Sequence, residues 1–182
     1  MKIVLRLLFI VSLVPIAQSL IGISAPIYVF DAKKHPENFY LSNYYLAPVS
    51  LYIGDKLYNF KTAKAAYQAG KFIPPFAKKI DELMLARLEQ ARDGYEAAKI
   101  GGDDSKEWLQ PEQEWNSPAI KWMLFVVTEK FKQNPELKAK LLATGNSYII
   151  EDCIDPFWGG ACPEGKNWFG LVLMKVRDDL RK

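Results

Sequence analysis

The C-terminal stretch limits this chain's folding options more than any other. Asp155-Pro-Phe-Trp-Gly-Gly160 places a carboxylate and an indole on a glycine-hinged turn, and a short loop carrying Cys162 follows. Gly165-Lys-Asn-Trp-Phe-Gly170 is a second glycine turn that runs into a helix. Glycines at such points let the backbone take unusual dihedrals or approach a ligand closely. Phe169, Val172, Leu173, Val176 and Leu180 recur at helical spacing, so the helix has one apolar face to bury. Its first N–H groups are free for an anion. An acid and an aromatic face at that end suit a site that holds and reacts a sugar–base unit.

With 182 residues the chain is long enough for one domain with a real core and too short for two ordinary ones. The N-terminus is a separate matter. Lys2 and Arg6 precede an apolar run from Leu7 to Ile16, and Ala17-Gln18-Ser19 follows. This layout predicts a secretory signal peptide over residues 1–19, cleaved after Ser19, with the domain at 20–182. The alternatives are an uncleaved anchor or an apolar strand. The expected location is secreted or periplasmic. Without the leader the chain keeps 22 basic against 21 acidic residues, a net charge of +1. No basic patch argues for a nucleic-acid duplex as partner. No later apolar run is long enough for a membrane span. Cys153 and Cys162 flank the Trp-Gly-Gly turn: a disulfide suits an exported domain, reduced thiols any other. Two cysteines and a distant His35 do not make a zinc site, and no metal or cofactor is expected.

Along the chain, Ile27–Phe30 reads as a short edge strand and residues 31–47 as an irregular loop. Val49–Ile53 and Leu57–Phe60 around Gly54-Asp55-Lys56 predict a β-hairpin. Thr62 caps a helix through Ala63–Lys71. After Pro74-Pro75, residues 78–100 form two helices bent near Asp93-Gly94, and Gly101-Gly102 stops them. Residues 103–114 read as an acidic loop. Ser117-Pro118 opens a helix with Ile120, Met123, Leu124, Val127 and Phe131 facing the core. Asn134-Pro135 starts another helix, which Gly145 closes, and Tyr148–Ile150 is a strand. The fold class is α+β: a mostly helical single domain with a small antiparallel sheet.

Several segments, in order and at compatible spacing, resemble the NADAR family, which includes riboflavin-intermediate N-glycosidases. They are Leu41-Ser-Asn-Tyr44, Thr62-x4-Tyr67-Gln68-Ala69-x-Lys71, Trp115-x7-Met123 and Lys130-Phe131-x-Gln133-Asn134. Leu141-Leu142-x-Thr144-Gly145, Glu151, Asp155-x2-Trp158-Gly159 and Gly165-x-Asn167-x2-Gly170-x2-Leu173-Met174-x2-Arg177 complete them. The resemblance implies hydrolysis of an N-glycosidic bond in a phosphoribosylamino or ADP-ribosyl compound. That chemistry builds positive charge at the anomeric carbon. It needs a carboxylate to face that charge and a proton for the departing nitrogen. The resemblance nominates Asp155, Lys64, Trp115 and Glu151 as catalytic positions. It nominates Ser42, Asn43, Tyr67, Gln68, Lys71, Trp158, Gly159, Lys166, Asn167 and Arg177 as substrate-binding ones. The partner it implies is a small nucleotide or phosphoribosyl ligand.

One departure bears on activity. The family helix reads Thr-x-Glu-His-x-Tyr/Phe-Gln, with the Glu as principal catalytic acid, whereas this chain has Lys64 and Ala65 at those positions. An ammonium there opposes an oxocarbenium ion; at an effective dielectric of ~20 and ~4 Å the interaction is worth about 4 kcal/mol. Three readings follow. Asp155 or Glu151 takes over as the acid; or the chain is an inactive nucleotide-binding pseudoenzyme, with a secreted effector among its roles; or Lys64 itself attacks the anomeric carbon. Each residue also has a plainer reading. Asp155 caps a turn, Trp115 and Trp158 pack, Asn167 caps the helix and Arg177 makes an ion pair. Trp108, Trp122 and Trp168 read as packing residues.

Overall fold

The computed structural model describes residues 24–30 and 32–182; the expected signal peptide lies outside the described residues. Two small sheets and seven α-helices make up the described chain, joined by short 3-10 segments. Strand β2 (Leu46–Ile53) turns at Gly54, whose φ of 61° suits glycine, into β3 (Lys56–Thr62). The pair is antiparallel, with Leu51 opposite Tyr58 and a register shift between Leu46 and Val49, where Pro48 offers no N–H. This is the hairpin that Gly54-Asp55-Lys56 announced.

The second sheet pairs β1 (Ile27–Val29) with β4 (Ile149–Glu151) in parallel, Val29 opposite Glu151. Both strands were expected, but not their pairing. No local pattern links segments so far apart in sequence. The sheets are thus one antiparallel and one parallel pair.

Helix α1 (Ala63–Ala69) leaves β3 directly, because Thr62 is both last strand residue and N-cap, its Oγ1 accepting from Ala65 N at 3.1 Å. Helices α2 (Glu82–Gln90) and α3 (Gly94–Gly101) follow, with Asp81 and Asp93 as N-caps. The stretch expected as a loop at 103–114 contains a short helix α4 (Lys106–Leu109), capped by Ser105, and most of a 3-10 segment, Pro111–Asn116. The longer helices are α5 (Pro118–Gln133), α6 (Pro135–Ala143) and α7 (Trp168–Asp179).

Two apolar clusters share α1 and α5. Ile120, Met123, Val127 and Phe131 of α5 pack with Phe169, Val172, Leu173 and Val176 of α7 and with Val29 and Ile149. Val126, on another face of α5, joins Val49, Leu51, Tyr58, Phe60, Leu85 and Leu88. Alanines 63, 65, 66 and 69 put α1 against this second cluster, while Tyr67 points into the first. The site lies beside this junction.

Candidate active site

A cavity of about 200 Å³ opens between the loop before β2, the start of α1 and the turn after β4. Asn43, Tyr44, Lys64, Met123, Glu151, Cys153, Asp155, Trp158 and Phe169 are among its walls.

Lys64 stands in the first turn of α1, its backbone N–H donating to Asn43 O at 2.7 Å. Its Nζ lies 5.3 Å from the ring centre of Tyr44 and 5.4 Å from that of Tyr67, so two aromatic faces flank the amine. Burial lowers its pKa, and the nearby Lys71 adds to this; Asp104, Asp155 and Glu151 pull the other way. A cation at a helix N-terminus also meets an unfavourable backbone dipole.

Glu151 ends β4 and is buried. Its backbone N–H donates to Asn167 Oδ1 at 2.9 Å and its carbonyl accepts from Gly160 N at 2.8 Å, while Oε2 has no hydrogen-bond partner. Burial raises its pKa to about 8; Lys64 opposes the shift and Asp152 and Asp155 add to it. A carboxyl so shifted holds its proton far more readily than an ordinary glutamate. Asp155 is built differently. Its Oδ1 accepts from Phe157 N at 2.8 Å and Trp158 N at 2.9 Å, so the side chain caps the turn and lines the cavity at once.

Trp158 is fixed from behind. Its Nε1 donates to Asp104 Oδ2 at 3.2 Å, and its ring meets Tyr67 edge-on at 5.5 Å between centroids. The same Asp104 oxygen accepts from the Tyr67 hydroxyl at 2.7 Å, which in turn accepts from Trp108 Nε1. Burial, then Asp104, holds the Tyr67 hydroxyl well above its ordinary pKa. Asp104 Oδ1 pairs with the Lys71 ammonium at 2.7 Å. Lys71 also donates to the carbonyls of Gly101, Gly102 and Asp103 at 3.3, 2.8 and 3.1 Å. Gly102, with φ 64°, lets the chain curl its carbonyls around that ammonium. Asp104 and the supporting Trp108 were missed in the sequence. An acid two residues past a Gly-Gly helix stop carries no spacing signal; only the tertiary fold shows that it joins three side chains.

Asn43, Lys64, Glu151, Asp155 and Trp158 therefore meet at the cavity, with Tyr67 directly behind. Other nominated residues do not. Trp115 is 39% exposed and stacks edge-on against Trp168 at 5.2 Å, outside the cavity walls. Its 3-10 segment follows the left-handed Gln110 and is interrupted by Glu114. Arg177 is buried against the turn before β4, donating to Ser147 O at 2.8 Å and Thr144 Oγ1 at 3.0 Å, and so serves packing. Lys166 is exposed, and Lys71 is committed to Asp104. Ser42 is buried, its Oγ accepting from Tyr44 N at 3.3 Å. Gln68 is buried against Gly101 of α3. Gly159 supplies clearance, since a Cβ there would lie 2.3 Å from Cys153 O. Asn167 makes no helix cap; its amide spans Ile149 O and Glu151 N and supports the strand that carries Glu151. Cys153 and Cys162 are free thiols, and burial lifts the Cys153 pKa to about 12. Among the described residues no cluster of His, Cys, Asp or Glu could hold a metal, and no helix is long and apolar enough to cross a membrane.

Comparisons with known proteins agree with this architecture. The NMR structure of Escherichia coli YbiA superposes with a TM-score of 0.64, covering 91% of each chain at 27% identity. The N-glycosidase YbiA of E. coli K12 is 32% identical over 121 residues, 65% of this chain and 69% of that protein. A riboflavin biosynthesis protein of Vibrio vulnificus is 31% identical over 161 residues; these cover 86% of this chain but only 39% of the longer relative. An N-glycosidase of Nostoc punctiforme is 29% identical over 137 residues. The NADAR domain model matches residues 29–181, nearly all of the described chain, and the protein belongs to the NADAR domain family.

Proposed function

We propose that this domain hydrolyses the N-glycosidic bond of a ribosyl amine, of phosphoribosylamino or ADP-ribosyl type, with Glu151 as proton donor. The observation that carries the reading is the Glu151 carboxyl. It is buried, its pKa raised to about 8 by that burial, without a partner at Oε2 among the described residues, and in one cavity with Asp155 and Trp158. A neutral acid beside a second carboxyl is the arrangement in which one group protonates the leaving atom while the other faces the sugar cation. Asp155 fills the second role and Trp158 offers a face to the base. The cavity is smaller than the ~300–1,000 Å³ that encloses a drug-sized ligand, so it receives the sugar end while the base lies at its mouth. Lys64 stands where the family motif has its acid, and Glu151 takes over proton delivery in the same cavity. The names of the relatives support the reaction class. The N-terminal leader pattern supports action outside the cytoplasm, on a substrate met there.

A binding-only reading draws on Lys64, whose amine suits an anionic ligand better than a developing sugar cation. One assay separates the two. Release of ribose 5-phosphate from a phosphoribosylamino-pyrimidine, and of ADP-ribose from an ADP-ribosylated base, is followed for wild type, Glu151→Gln and Lys64→Glu. Hydrolysis by wild type that is lost in Glu151→Gln is the expected result. An inert wild type revived by Lys64→Glu would establish the binding-only reading.

A further inference from the structure

We infer that Lys64 Nζ is a carbonyl-reactive amine that forms an imine with C1 of a ribosyl group held in the cavity. The inference rests on the proposed N-glycosidase reading for its substrate and on the structure for its nucleophile. The amine enters the cavity between two aromatic faces, those of Tyr44 and Tyr67. Its backbone N–H donates to Asn43 O in the loop before β2, and among the described residues its side chain has no hydrogen bond. Lys130, which is buried, and Lys71, which is half-buried, contrast with it directly. Lys130 donates to the carbonyls of Tyr40, Leu41 and Ser42, and Lys71 is held by Asp104 and three carbonyls. Those two ammonium groups are locked as structural donors. Among the described residues Lys64 Nζ makes no hydrogen bond; two ring faces flank it, and burial lowers its pKa against the pull of Asp104, Asp155 and Glu151. Desolvation by an apolar pocket is the usual way in which a lysine becomes a nucleophile. Glu151, a proton carrier, lines the same cavity.

The chemistry balances without a cofactor. The Nζ lone pair forms a bond to C1 as the C1–N bond to the base breaks. The base nitrogen keeps that electron pair and takes the Glu151 proton. Glu151 then recovers a proton from the new C1–Nζ ammonium and passes it to the ring oxygen as the C1–O bond opens, leaving a protonated imine. Water adds to C1, Glu151 accepts its proton, and collapse of the carbinolamine frees the sugar aldehyde and the Lys64 amine. The sum is hydrolysis, with no oxidation or reduction.

The test is reductive trapping of the full chain with cyanoborohydride and ribose 5-phosphate, read by peptide mass spectrometry. Free sugar probes the amine without needing glycoside cleavage. The expected result is one reduced ribosyl phosphate on Lys64, gained roughly tenfold or more ahead of exposed lysines such as Lys99 and Lys121. Denaturation in urea should abolish that preference, and Lys64→Arg should remove the adduct while circular dichroism reports an unchanged fold. Labelling of Lys64 no faster than exposed lysines would overturn the proposal. The same trap with the N-glycoside separates the two claims. Glycoside hydrolysis without a Lys64 adduct sinks the imine and leaves the hydrolase standing. An adduct from free sugar with no glycoside cleavage sustains the amine and sinks the hydrolase.

Discussion

Glu151 and Asp104 are both acids in the middle of this domain, and their surroundings give them opposite duties. Glu151 keeps its proton in the folded chain up to about pH 8, against 4.5 for an ordinary glutamate. Between those values the folded state binds more protons than the unfolded state, so this residue makes stability fall as pH rises. Urea denaturation across that window should show a declining midpoint, and Glu151→Gln, which cannot titrate, should flatten the decline. Asp104 instead accepts from Tyr67 and Trp158 and pairs with Lys71. Asp104→Ala leaves the Lys71 ammonium with backbone carbonyls alone and takes the acceptor from Tyr67 and Trp158. It should cost about 2–4 kcal/mol by denaturation, near the range for breaking a buried pair because both side chains are mostly shielded from water. It should also weaken ligand binding, since Trp158 loses the bond that sets its ring.

At the scale of elements, α5 holds the near wall of the cavity through Lys130. That ammonium donates to the carbonyls of Tyr40, Leu41 and Ser42, where a 3-10 turn (Pro36–Leu41) ends; Ser42 O also accepts from Tyr45 N at 3.2 Å. Burial lowers the Lys130 pKa to about 7, and the three carbonyls favour its charged form. Lys130→Met keeps the apolar stem but removes the donors. It should cost about 2–4 kcal/mol through the Tyr40 and Leu41 carbonyls that lose their donor, and hydrogen exchange should quicken across residues 39–45 before it does in α7. The elements were largely legible in advance because their signals are local. Gly54-Asp55-Lys56 marked the hairpin, Ser117-Pro118 opened α5, and the spacing of Phe169, Val172, Leu173 and Val176 marked α7. What was not legible depends on contacts distant in sequence. The β1–β4 pairing joins residues at opposite ends of the domain, and the duty of Asp104 exists only once α1 and Trp158 lie against it. Trp115 and Arg177 were nominated through motif position alone; the structure turns one towards Trp168 and the other towards Ser147. Motif spacing finds a residue's place in the chain but not its rotation about the backbone.

For the whole molecule, the cavity lies beside the junction of two apolar clusters. Helix α1 brings Lys64 from the hairpin side, β4 brings Glu151 from the α7 side, and Met123 of α5 also lines the cavity. The site is thus a product of the complete fold, and neither half contains it. N-glycoside cleavage as proposed requires a protonated Glu151 in this cleft. Its most direct test is the rate of ribose 5-phosphate release from a phosphoribosylamino-pyrimidine as a function of pH. The expected result is hydrolysis that falls away above about pH 8 as Glu151 loses its proton, and a loss of roughly 10²–10⁴-fold in Glu151→Gln at neutral pH. Hydrolysis that persists undiminished in Glu151→Gln, with the same pH profile as wild type, would contradict it.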